Sequence, residues 1–162
     1  MRTQFVDYGL QFTSLTPREV TDMIVIHHTG NDIDDDLSAV DIHASHQSKG
    51  WAGIGYHFVI RKDGTVEIGR PLDYVGAHAY GFNGHTIGIH LSGNFEIGEP
   101  TKEQIESLAK LLADLTEMYS LENTSQYIVG HRDLMATACP GENLYAMLPE
   151  ILGKAEFYKN AA

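Results

Sequence analysis

Cysteine is nearly absent from this chain: one residue, Cys139, in 162. A lone cysteine forms no intramolecular disulfide, so a disulfide-stapled secreted scaffold is excluded. Its own chemistry stays open between buried filler, nucleophile and metal ligand. Positive charge is scarce too, with 11 Lys and Arg against 22 Asp and Glu, a net charge of −11. Basic residues never run beyond the pair Arg61-Lys62. Nucleic acid needs clustered cations to neutralise its phosphates, so it is not an expected partner. Long apolar runs are missing as well. The longest near the start is Met23-Ile24-Val25-Ile26, far short of the roughly 20 residues of a membrane span. Residues 1–12 show no apolar core and no small-residue cleavage site, so no secretory signal is expected there. No internal repeat or low-complexity tract interrupts the chain.

What is present fits one globular domain: hydrophobic residues are 43% and charged residues 20%. Residues 1–21 read as an irregular lead-in, 22–156 as the folded domain and 157–162 as a tail. The run Met23 to Ile26 suits a strand buried on both faces, and it delivers His27 and His28 at its end. Asp35 or Asp36 is positioned to cap a helix over about residues 37–48. Residues 55–61 and 65–70 read as two strands around the hairpin signal Asp63-Gly64. Residues 71–84 form a long loop of the kind that carries function, and 85–91 is a further strand. Thr101 with Gln104 predicts a capping box. The helix after it has Ile105, Leu108, Leu112, Leu115 and Tyr119 facing the core. A short strand at 127–130 delivers His131, and a last helix is expected over about 143–153. The expected fold is α/β: a single mixed β-sheet of about five strands flanked by helices.

His27 and His131 each sit at a strand end, and Cys139 follows His131 in a loop. Two nitrogens, one sulfur and an open position describe a catalytic zinc site. Spacing alone leaves that open, because strand-end histidines and single cysteines are often ordinary core residues. His43 and His46 form H-x-x-H, read either as a ligand pair or as a partly exposed helix face. No H-E-x-x-H occurs, which argues against a helical metalloprotease.

Several stretches together resemble one family. They are Ile24-Val25-Ile26-His27-His28-Thr29, Gly50-Trp51, Gly55-Tyr56-His57-Phe58, Asp63-Gly64-Thr65 and Gly76-Ala77-His78. Further matches are Gly81-Phe82-Asn83, Thr86-Ile87-Gly88-Ile89, and His131-Arg132-Asp133 leading to Cys139-Pro140-Gly141. The chain resembles the zinc-dependent N-acetylmuramoyl-L-alanine amidases, the family of amidase-type bacteriophage lysozymes and animal peptidoglycan-recognition proteins. The resemblance implies that family's fold and one zinc ion per chain, held by His27, His131 and Cys139. It further implies Tyr56 facing the metal and Thr137 at a position held by Lys or Thr in the family. His78 and Asn83 are implied to line the substrate groove.

The implied activity is hydrolysis of the amide between N-acetylmuramic acid and L-alanine in peptidoglycan, a cell-wall lytic role of endolysin or autolysin type. Such a chain reaches the wall by lysis, by another export route or as a processed secreted form. Trp51 reads as a second groove wall or as core. Arg70 reads as a partner of a stem-peptide carboxylate or as a structural salt bridge. His28 points to the opposite strand face from His27, so packing is expected of it. A non-catalytic peptidoglycan-binding module and a Cys139/His131 cysteine hydrolase are the alternatives.

Overall fold

The computed structural model describes residues 1–161. Six strands form one mixed sheet: β1 (Phe5–Val6), β2 (Met23–His28), β3 (Phe58–Ile60), β4 (Val66–Ile68), β5 (Thr86–Leu91) and β6 (Ile128–Gly130), in the order β1-β4-β3-β5-β2-β6. The expected count of about five is corrected by β1. It lies in the supposedly irregular lead-in and pairs in parallel with β4, Phe5 opposite Val66. The four strands β3, β5, β2 and β6 run in one direction. Only the hairpin partner β4 and the edge strand β1 run against them. The hairpin turns at Asp63-Gly64 as expected, where Gly64 takes φ +89°, a conformation that L side chains rarely adopt.

Strand periodicity gives the sheet two unlike faces. Ile24, Ile26, Ile87, Ile89, Leu91, Phe58 and Ile60 point to one side. They pack there against Leu108, Leu111, Leu112 and Leu115 of α2 (Lys102–Met118) and Leu148, Ile151 and Ala155 of α4 (Leu148–Asn160). Thr101 and Gln104 cap α2 reciprocally, as expected. The other face carries Val59, His57, Gly88, His90 and His27, covered by α1 (Ala39–Ser48) and the loops around it. The site therefore lies on the polar face, while the apolar face anchors the sheet.

Three expectations need correction. Ser38, not Asp35 or Asp36, caps α1, in a capping box with Asp41. Asp36 is instead held by Arg61 and the backbone N–H of Lys62, and Asp35 by Asn31. A buried carboxylate adds to that helix start: Glu67 accepts the Ala39 N–H at 2.8 Å, together with Arg61 and the Tyr8 hydroxyl. The last helix is two pieces, α3 (Glu142–Tyr145) and α4, and α4 runs to Asn160. Residues 157–160 are thus helix rather than tail. Gly153 sits inside α4, which continues past the expected end near 153 because Ala155 is buried and Lys154 and Tyr158 both bond Glu106 of α2. Among the described residues no helix is long and apolar enough to cross a membrane.

Candidate metal centre

Ligands are usually met at the carboxyl ends of parallel strands, and this sheet places its chemistry there. His27 is the fifth residue of β2 and is 1% exposed. His131 follows directly on β6. Its turn is fixed by Asp133, whose carboxylate accepts the Gly130 N–H at 2.9 Å and the Tyr145 hydroxyl. The Cys139 loop folds back on that turn through the Arg132 N–H, which donates to the Cys139 carbonyl at 2.8 Å. One ligand atom from each of His27, His131 and Cys139 lies within 4.8 Å of the others. Cys139 Sγ stands 3.6 Å from His27 Nδ1, and the His28 N–H donates to the sulfur at 3.4 Å.

Two neutral nitrogens and one thiol, with no fourth ligand grouped with them among the described residues, fit a catalytic rather than a structural zinc site. The Nε2 atoms of both imidazoles are engaged. His27 Nε2 meets His78 Nδ1 at 2.9 Å, and His131 Nε2 meets Met135 Sδ at 3.0 Å. Burial holds His27 well below the usual imidazole range and lowers His131, so both are neutral and able to ligate. Burial also pushes the Cys139 thiol up to about 12. A thiol in that state is not a self-activated nucleophile and needs a cation to ionise it.

Tyr56 stands beside His27, its ring 5.0 Å from His27 and 4.8 Å from His90. Burial, and then the nearby Cys139, raise its phenol above the ordinary value, so it stays protonated. Thr137 Oγ1 accepts the Cys139 N–H at 3.2 Å and keeps its own proton free to donate. His28 turns to the other face as expected. There its Nδ1 accepts the Phe95 N–H and its ring stacks on Phe95. His90 is buried and bonded to the Thr29 hydroxyl, and Glu96 is exposed.

Several groove residues sit differently from expectation. Arg70 is buried, and its guanidinium donates to the carbonyls of Ile54, Gly53 and Val75, so it fixes the loops instead of meeting a carboxylate. Asn83 turns its carbonyl to the His78 and Ala79 N–H groups, both at 2.9 Å, and shapes the loop. His78 points at His27 instead of lining an open groove. Trp51 is 42% exposed, rests on the His46 ring at 4.6 Å and walls a groove of about 370 Å³ with Ser14, Thr16 and Ala77. His43 and His46 are neither ligands nor an exposed face. They are buried, and their Nδ1 atoms accept the N–H groups of Ile54 and Gly55 at 3.0 Å. Sequence reasoning passed over Thr86 as a site residue. Its period-two relation to Gly88 and His90 was the available signal.

A family model described as N-acetylmuramoyl-L-alanine amidase matches residues 17–142. The endolysin of Klebsiella phage KP32 is 36% identical over 134 residues, 80% of this chain and 86% of the relative. Peptidoglycan-recognition protein SC2 of Drosophila melanogaster is 40% identical over 128 residues, 75% of this chain and 68% of the relative. The solved structure of the amidase LysC from Clostridium intestinale URNW superposes with a TM-score of 0.85 at 37% identity, covering 94% of this chain and 97% of that one. With the expected donor set brought together from two strand ends and a loop, this chain belongs to the N-acetylmuramoyl-L-alanine amidase family.

Proposed function

We propose that this amidase is zinc-dependent, with one zinc held by His27, His131 and Cys139, and that it cuts the amide joining the muramoyl lactyl carbonyl to the L-alanine nitrogen. The observation that carries the reading is the convergence of two neutral imidazoles and one thiol within 4.8 Å. Zinc in such a donor set supplies a lowered water pKa, to about 7, and a Lewis acid for the carbonyl. The residues around it do the rest. Tyr56, kept protonated by burial, donates to the oxyanion that develops on the scissile carbonyl. Thr137 offers a second, neutral hydroxyl donor beside the sulfur ligand. Trp51 presents an apolar face to sugar and peptide. The cysteine-hydrolase alternative is disfavoured because the buried thiol is pushed up to about 12, opposite to an activated nucleophile. A purely binding role is disfavoured because all three ligands and Tyr56 are present.

Digestion of purified peptidoglycan with end-group analysis tests this. New L-alanine amino termini without new reducing ends are expected, with activity lost to a chelator and regained on adding zinc. New reducing ends would mean a glycosidase, and full activity in metal-free protein would defeat the zinc reading.

A further inference from the structure

His78 sits at the start of a one-way hydrogen-bond chain that ends at a metal ligand. The Thr86 hydroxyl has one proton, and the Phe82 carbonyl 2.8 Å away can only accept it. Thr86 Oγ1 therefore faces His78 Nε2, at 3.2 Å, as an acceptor. That places the His78 proton on Nε2 and leaves a lone pair on Nδ1. The lone pair meets His27 Nε2 at 2.9 Å, so the His27 proton is held there. The remaining lone pair of His27 is on Nδ1, the atom facing Cys139 Sγ. A charged His78 would present a second donor to His27 and break the chain.

We infer that His78, oriented by Thr86, is a positioning residue that fixes the tautomer and ring angle of His27, an inference that rests on the zinc reading above. The backbone around His78 is built for this. A Cβ on Gly88 of β5 would stand 2.6 Å from His78 Cγ, and one on Gly76 would stand 2.7 Å from Cδ2. Strand and loop each leave out a side chain where the ring lies. The two rings meet edge to face, 5.0 Å apart at 90°.

Three variants test the assignment: His78→Ala, His78→Asn and Thr86→Val. Asparagine can place its Oδ1 near the position of Nδ1 and keep an acceptor for His27. The readouts are zinc affinity by chelator competition, the absorption spectrum of the cobalt-substituted protein, urea unfolding of the metal-free form, and the His27 tautomer by nitrogen NMR. His78→Ala should weaken zinc binding by about 10- to 100-fold. His78→Asn should recover most of that loss, and Thr86→Val should show a smaller loss and a shifted cobalt spectrum. Wild-type affinity in His78→Ala would overturn the inference. So would equal losses in all three variants that track their urea midpoints, since that pattern is packing alone. If the wild-type protein takes up no zinc, the zinc reading fails by itself. The positioning claim is then read from the metal-free spectrum, and a His27 proton on Nδ1 would overturn it.

Discussion

Burial and the neighbouring Cys139 both resist ionisation of the Tyr56 phenol, so the oxygen keeps its proton at neutral pH. Tyr56→Phe removes that proton and leaves the ring packed against His27 and His90. Loss of one oxyanion donor costs on the order of 10²–10³ in kcat. Turnover of purified peptidoglycan should fall by that order while metal content matches that of the unaltered protein. Full turnover with intact zinc would remove Tyr56 from the chemistry. Legibility at this scale depended on backbone regularity. His27, His131 and Cys139 stood out together as candidate donors at two strand ends and a loop, and the family resemblance implied them as one ligand set. Arg70, Asn83 and His78 were identified as residues worth attention, but the contacts they make inside the fold were not legible. Nothing periodic in a loop tells whether a guanidinium turns outward to a carboxylate or, as Arg70 does, inward to three carbonyls.

The polar face of the sheet is where elements and chemistry meet. His57 on the segment entering β3 accepts the Gly88 N–H of β5, and His46 of α1 accepts the Gly55 N–H. These rings act as spacers between α1 and the strands, and acceptors of backbone N–H bonds must be neutral. Burial lowers His46 from 6.5 to about 4, and His57 and His90 to about 3. Each therefore binds its proton more weakly folded than unfolded. The stability they lend is full above the unfolded value near 6.5 and is lost as pH falls toward the folded values. Each contributes up to about 1.4 kcal/mol per pH unit in that window. Urea unfolding of the metal-free protein should show a clearly lower midpoint at about pH 5 than at about pH 7, with proton uptake on unfolding. A midpoint indifferent to pH over that range would contradict neutral burial. The longer elements were legible from periodicity and caps, with the starts of β2 and α2 and the span of β5 found to within a residue. The two-residue β1 was not, because two residues carry no alternation. The reach of α4 past Gly153 was not either, because tertiary contacts with α2 override a local helix breaker.

At the scale of the molecule, a net charge of −11 must meet an anionic wall. The charge is not spread evenly. Asp32, Asp34, Asp35 and Asp36 follow β2, which ends in His27 and His28, and Glu96 and Glu99 follow β5; of these, Asp34 and Asp36 are paired with Lys62 and Arg61. The ligand cluster itself is neutral before metal binding: two imidazoles and a thiol whose ionisation burial opposes. Capture of substrate then relies on short-range groove contacts, and long-range repulsion works against the encounter. Salt shortens the reach of that repulsion, from about 30 Å at 0.01 M to about 8 Å at physiological strength. The rate on intact walls should accordingly stay level or drop when salt is removed, and rise modestly when it is restored. The comparison to make is the clearing rate of a purified wall suspension against that of a soluble, uncharged muramoyl-peptide across the same salt series. Only the wall should respond. A steep gain on walls at low salt would mean that a local cationic surface, not the groove, governs the encounter.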